Sequence, residues 1–93
     1  MKAIWNGTVI AESNDTVIVD NNHYFPQESL TMDYFTKSDH TTVCGWKGLS
    51  NYYTVDVDGA VNIDSAWYYA SPKTEAKNLE NRVAFWRGIE VVS

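Results

Sequence analysis

Three side chains within eight positions could take part in chemistry: His40, Cys44 and Lys47. A cysteine acts as a nucleophile or redox centre in its thiolate form, and a nearby histidine or lysine favours that form. On an extended strand His40 and Cys44 would lie about 13 Å apart, at roughly 3.3 Å per residue, which is too far for a hydrogen bond. A lone cysteine is also commonly buried and unreactive. The three residues are therefore catalytic candidates, and the sequence leaves open whether the chain is an enzyme.

Aromatic residues are concentrated around these three positions. The segment from His40 to Tyr69 contains six of the thirteen aromatic residues of the chain. Large rings beside a few polar groups are typical of the wall of a ligand pocket. The predicted ligand-binding residues are Trp46, Lys47, Tyr53, Trp67 and Tyr69, with Cys44 and His40 as further wall groups.

Within this set the rings would stack on the ligand, and Lys47 would contact an anionic or carbonyl group. Lys47 could equally lie over the ring of Trp46 with its amine in water. Because side chains alternate along a strand, Trp67 and Tyr69 should share one face and Tyr68 should take the other. Neighbouring tyrosines at 52 and 53 should divide in the same way.

The acidic segment from Asp56 to Asp64 has some likeness to a metal site. A calcium loop needs glycine at its sixth position and glutamate at its twelfth, but here Gly59 is fourth and Trp67 is twelfth. The pair Asp56 and Asp58 is similar to the magnesium-binding Asp-x-Asp of nucleotidyltransferases, without the Gly-Ser turn that precedes it there. We expect a hairpin turn at this position, and no metal or other cofactor.

Composition limits the remaining possibilities. The 93 residues make one predicted domain, 1–93, and 44% hydrophobic residues can form a core. A net charge of −5 without a basic cluster predicts no nucleic-acid binding. One cysteine allows no intramolecular disulfide and no zinc site built on paired cysteines. No signal peptide or membrane-spanning stretch is recognisable, so we expect a cytoplasmic protein that does not enter a membrane.

The elements that must hold these residues are mainly β-strands. Short alternating runs separated by Asn6-Gly7, Asn21-Asn22 and Asp58-Gly59 predict three antiparallel hairpins. One short helix is predicted near residues 74–81, which have helix-forming composition. A last β pair is predicted from Arg82–Trp86 and Ile89–Val92 around Arg87-Gly88. The fold class is therefore mainly β and antiparallel, with one short helix.

Several short motifs together resemble a known family. They are Ala3-Ile4-Trp5-Asn6-Gly7, Tyr24-Phe25-Pro26, His40-Thr41-Thr42-Val43-Cys44, Trp46-Lys47-Gly48, Tyr52-Tyr53, Ala66-Trp67-Tyr68-Tyr69 and Val83-Ala84-Phe85-Trp86. The chain is similar to family 427 of the bacterial domains of unknown function, also filed as nucleotidyltransferase family 9. The resemblance implies a β-tent fold like that of Mss4, and no settled activity. The family usually has proline where this chain has Gly45 and Ala70, so the chain beside Cys44 is less constrained here.

The leading functional prediction is a pocket that binds a small molecule or an extended peptide. One alternative is an enzyme in which Cys44 or Lys47 acts by thiol redox or covalent catalysis. Another is a protein-interaction module or homodimer, in which exposed aromatic residues form the interface.

Overall fold

The computed structural model describes every residue from Met1 to Ser93. Antiparallel strands make up most of it, and the helical segments are short 3-10 helices, named η1 to η3. In chain order the elements are β1 (Lys2–Trp5), β2 (Thr8–Glu12), β3 (Val17–Val19), β4 (Asn22–Tyr24), η1 (Gln27–Ser29), η2 (Met32–Tyr34), β5 (Phe35–Cys44), β6 (Gly48–Val57), β7 (Ala60–Tyr68), η3 (Thr74–Leu79), β8 (Val83–Phe85) and β9 (Glu90–Val92).

All three predicted hairpins are confirmed. Asn6 and Gly7 have φ values of 50° and 73° and join β1 to β2, and Asp58 and Gly59, at 51° and 84°, join β6 to β7. Both pairs adopt the positive φ angles that a two-residue hairpin turn of the I′ type needs. The middle hairpin, β3 with β4, turns at Asp20-Asn21, one residue earlier than its sequence suggested.

The strands form three sheets. The largest has the order β5-β6-β7-β8, a second has the order β2-β1-β9, and the third is the β3-β4 hairpin. The predicted last β pair is wrong, because β8 hydrogen-bonds to β7 whereas β9 hydrogen-bonds to β1. Arg87 and Gly88 do have positive φ angles, at 54° and 86°, but the turn carries the chain from one sheet to another.

The four-stranded sheet has a buried cluster on each face. On one face Tyr53, Val55 and Phe85 pack with residues of β1 and β2 to form the main core. On the other face Ala84 and Tyr69 pack with Tyr24 of β4 and with η3. Side-chain alternation along β8 supplies both clusters, since Val83 and Phe85 belong to the first and Ala84 to the second.

The predicted helix near residues 74–81 is confirmed as η3, a short segment of 3-10 type that is kinked at Ala76. Its two buried residues, Ala76 and Leu79, close one end of the second cluster. None of the helical segments has the length and apolar character that a membrane crossing requires. A cavity opens on the face of the sheet that η3 and the β3-β4 hairpin cover only in part.

Candidate functional site

A cavity of about 180 Å³ opens on the face of the four-stranded sheet that carries the second cluster. Five of its eight lining residues are hydrophobic and aromatic, and the other three are polar. The wall consists of Tyr24, Thr42, Lys47, Ser50, Tyr52, Trp67, Tyr69 and Trp86. We call this space the aromatic cavity.

Strand register positions most of this wall. Thr42 of β5 pairs with Ser50 of β6, and Tyr52 of β6 pairs with Trp67 of β7, so these side chains point to the same face. The Thr42 and Tyr52 hydroxyl groups share a hydrogen bond of 2.9 Å. The floor of the cavity is therefore built from three adjacent strands.

Two further aromatic rings complete the wall from outside these strands. Tyr24 lies at the end of β4, and its hydroxyl accepts a hydrogen bond of 3.2 Å from the indole nitrogen of Trp67. Trp86 follows β8 and meets Trp67 edge to face, with ring centroids 5.8 Å apart. The Trp86 indole donates to the carbonyl oxygen of Asp64 at 2.6 Å, and the Arg87 guanidinium lies 4.5 Å from its ring centroid. These contacts fix the orientation of both tryptophans.

Lys47 is the charged group of the cavity and is only 7% exposed. Its ammonium donates to a carboxylate oxygen of Asp20 at 2.7 Å. The same nitrogen lies 5.1 Å from the ring centroid of Trp46, 5.9 Å from that of Tyr69 and 6.0 Å from that of Tyr24. These distances allow cation–π attraction, which compensates part of the cost of removing the charge from water.

The backbone that carries Lys47 is held at both sides. The Lys47 carbonyl accepts a hydrogen bond of 2.8 Å from the Lys73 amide, and the Lys73 ammonium donates to the Gly45 carbonyl at 2.7 Å. Gly48 has a φ of +112°, a conformation that side chains rarely adopt, and it lies close to the backbone of Pro72 and Lys73. The loop from β5 to β6 is therefore fixed against the segment before η3.

Opposing effects act on the pKa of Lys47. Burial lowers the pKa. Three effects together raise it more: the hydrogen bond to Asp20, the negative charge that Tyr24 and Tyr69 acquire on ionisation, and the charge of Asp20. The pKa of Lys47 is thus raised above its usual 10.5, and the amine is an ammonium ion at neutral pH. A protonated amine is a poor nucleophile, so this state favours binding over covalent chemistry.

Ser50 carries a hydroxyl group that the fold leaves without a partner. The residue is 2% exposed and lines the aromatic cavity, yet its Oγ forms no hydrogen bond. Burying an unpaired hydroxyl costs about 1–3 kcal/mol, so such groups are uncommon in native proteins. Burial, together with the nearby Tyr24, raises the pKa of Tyr69 to about 12.

The structure brings together three of the five predicted ligand-binding residues, namely Lys47, Trp67 and Tyr69. Trp46 is 44% exposed and covers Lys47 without lining the cavity. Tyr53 lies on the opposite face of the sheet, where its ring stacks on Tyr68 with centroids 4.7 Å apart. As expected, therefore, alternation places Tyr68 on the other face from Trp67 and Tyr69.

The catalytic candidates do not form one constellation. No hydrogen bond joins His40 to Cys44; the exposed His40 ring packs against Tyr52, with centroids 4.7 Å apart. Cys44 is half-buried at the end of β5 and packs against the second cluster. Of the three candidates, Lys47 alone lines the aromatic cavity.

The sequence prediction missed Tyr24, Thr42, Ser50, Tyr52 and Trp86. For Tyr52 a signal existed, because the Asp58-Gly59 turn sets the register of β6 against β7. Between the pairs Tyr53–Ala66 and Val55–Asn62, β6 advances by two positions whereas β7 advances by four. The bulge therefore adds an even number of residues, which keeps Tyr52 on the face of Trp67.

A second cavity, of about 560 Å³, lies on the opposite face beside Tyr53 and Tyr68. Gln27 donates to the Tyr53 hydroxyl at 2.7 Å, while its own amide oxygen is buried without a partner. The lysine in its wall, Lys37, is exposed. This space therefore lacks a buried charge of the kind that Lys47 supplies to the aromatic cavity.

Metal-binding side chains do not converge in either cavity, since no group of three or more His, Cys, Asp or Glu residues is arranged to hold an ion. A comparison with curated proteins finds no significant match. A family model described as a domain of unknown function, DUF427, matches residues 1–92. This is the family that the sequence motifs resemble, and because the match covers almost the whole length, the chain belongs to the DUF427 family.

Proposed function

We propose that the protein binds a small molecule that contains one planar ring, and that the ring enters the aromatic cavity. The observation that carries this proposal is the hydroxyl of Ser50, a residue that lines the cavity, since this hydroxyl is buried and has no hydrogen-bond partner. The hydroxyl adds no hydrogen bond to the fold, and a buried unpaired group of this kind needs an explanation. A ligand that forms a hydrogen bond with it would be such an explanation. The ligand would then provide the hydrogen bond that the protein lacks.

The wall of the cavity suits a ring better than a flexible chain. Tyr52, Trp67 and Trp86 present aromatic surface, and aromatic pairs contribute about 0.5–1.5 kcal/mol beyond the area that they bury. Lys47 offers a positive charge at the same place, and it forms a hydrogen bond to Asp20 only. Stacking would supply affinity, while Ser50 and Lys47 would select the polar substituent.

The volume limits the size of the ligand. An engineered cavity of about 150 Å³ holds one benzene molecule, whereas most drug-sized ligands need about 300–1,000 Å³. At about 180 Å³ the aromatic cavity matches one ring with a small substituent. If the ligand were an extended peptide instead, one aromatic side chain would enter and the rest would lie outside.

The test is a titration of the protein with benzamide, phenol and benzoate, followed by the indole N–H signals of its four tryptophans in proton–nitrogen NMR spectra. We expect the Trp67 and Trp86 signals to shift with saturation. The Trp5 signal should stay in place, since its indole donates to the Ala60 carbonyl away from the cavity. Acetamide, which lacks the ring, should cause no saturable shift.

Matched serine variants make the result specific. Ser50→Ala should weaken the binding of benzamide by about 2- to 13-fold, as expected for the loss of about 0.5–1.5 kcal/mol from one hydrogen bond. Ser65→Ala removes a buried hydroxyl that already donates to the Asn62 carbonyl, so it should leave the affinity unchanged. Absence of saturable shifts at Trp67 and Trp86 with all three ring compounds at millimolar concentration would reject the proposal.

A further inference from the structure

We propose that the ligand of the aromatic cavity carries a carboxylate group, and that this group replaces the carboxylate of Asp20 on the Lys47 ammonium. The inference rests on the proposed function, because it names the chemical class of the ligand for the same cavity. It also gives Asp20 a role as an internal competitor that determines specificity.

The two partners of this ion pair differ strongly in exposure. The side chain of Lys47 is 8% exposed, whereas that of Asp20 is 61% exposed. The cation therefore belongs to the cavity, and the anion reaches it from solvent. If Asp20 moves away, its carboxylate regains water at little cost, but Lys47 needs another anion because a buried unpaired charge is unfavourable.

Asp20 is also placed where its side chain can leave. It lies at the tip of the β3-β4 hairpin, with a φ of 52°, and is not a member of either buried cluster. Its carboxylate forms no hydrogen bond other than the one from Lys47. A rotation of this side chain would free the Lys47 ammonium while Tyr24, at the other end of the hairpin, stays packed.

The charges in the wall favour a carboxylate over other substituents. Lys47 is the only charged residue among the eight that line the cavity. A cationic substituent would be repelled there, and a neutral one would leave the Asp20–Lys47 pair in place. A carboxylate can accept from Lys47 with one oxygen and from the unpartnered Ser50 hydroxyl with the other, so it satisfies both groups.

The experiment compares benzoate with benzamide, which have nearly the same shape and differ in charge. Binding is measured by NMR titration at about 150 mM salt, where exposed charges more than roughly 8 Å apart are largely screened from each other. The unmodified protein should prefer benzoate. Asp20→Asn should raise the affinity for benzoate at least 3-fold and leave that for benzamide unchanged. Glu90→Gln, which removes one negative charge on the distant strand β9, should change neither affinity.

A second measurement uses the unmodified protein and so does not depend on how well the variant folds. The carboxyl carbon signal of Asp20 should move on addition of benzoate towards the position of a carboxylate in water, and it should not move with benzamide.

Two results would overturn the inference: an Asp20→Asn protein with unchanged preference between the two compounds, or an Asp20 signal that benzoate leaves in place. If benzamide binds and either of these results is found, the proposed carboxylate is rejected but the proposed binding of a ring is not. No binding of any ring compound would reject the proposed function as well.

Discussion

Two buried serines on neighbouring strands of the four-stranded sheet provide a sharp test of the reasoning. Ser50 is 2% exposed and Ser65 is 0% exposed. The Ser65 hydroxyl donates to the Asn62 carbonyl at 2.9 Å, whereas the Ser50 hydroxyl has no partner. Replacing each by alanine removes the same atom from a buried strand position, so differences in propensity and apolar transfer largely cancel.

The hydrogen bond of Ser65 sets the expected difference in stability. Loss of one such bond costs about 0.5–1.5 kcal/mol, so Ser65→Ala should lower the free energy of unfolding by about 1 kcal/mol. Ser50→Ala loses no bond and removes a poorly solvated hydroxyl, so its free energy of unfolding should be unchanged or up to about 1 kcal/mol higher. For a chain of this length, each 1 kcal/mol corresponds to roughly 4–8 °C in Tm.

The assay is urea unfolding of both variants and the unmodified protein, followed by tryptophan fluorescence. Equal m-values would show that the variants unfold from equally compact states, so that the midpoints report stability. If Ser50→Ala loses as much stability as Ser65→Ala, the Ser50 hydroxyl has a partner in the unliganded protein. The Ser50 hydroxyl would then need no ligand to complete it.

Three further predictions concern the surroundings of Lys47. Burial is the main cause that raises the pKa of Tyr69 to about 12 in the folded protein, so folding favours the neutral form of this side chain. The contribution of neutral Tyr69 to the free energy of unfolding should be fully present below pH 10 and should be lost as the pH rises from 10 to 12. Tyr69→Phe should reduce this fall in urea midpoints measured across that range. Asp20→Ala should lower the stability more than Lys47→Met, because the first variant leaves a buried ammonium without a partner and the second leaves only an exposed carboxylate. Equal losses of stability in thermal unfolding would contradict this. Gly48→Ala should lower the free energy of unfolding by roughly 1–3 kcal/mol, since its φ is +112°, whereas Gly45→Ala, which meets no atom within 4 Å, should have little effect.

Local sequence was sufficient for the elements whose geometry is set by a few neighbouring residues. Asn-Gly and Asp-Gly turns need positive φ angles at both positions, and these turns, with the alternating runs beside them, predicted the hairpins β1-β2 and β6-β7. The same local signal misled at Arg87-Gly88. The turn forms, but pairing depends on which strand edges are free, and β7 and β1 offer edges to β8 and β9. The likeness to a β-tent stays a prediction.

The candidate site divides in the same way. Alternation along a strand separated Trp67 and Tyr69 from Tyr68, and the type of residue singled out Lys47. The sequence around Tyr52 and Tyr53 did not predict which face of the sheet packs against the main core. The structure shows that Tyr53 faces the main cluster and that its neighbour Tyr52 faces the aromatic cavity.

What the sequence by itself determined is thus the mainly β class, the hairpin turns and the short helix, because each depends on residues that are close along the chain. It also determined the family, through motifs that are spread over residues 1–92. The tertiary structure alone decided that Asp20 meets Lys47 across 27 positions and that Trp67 meets Tyr24 across 43. Only the fold could also show that the Ser50 hydroxyl is buried without a partner. Burial and long-range hydrogen bonds arise when the sheets pack, so the chemistry of the aromatic cavity becomes visible only in the folded protein.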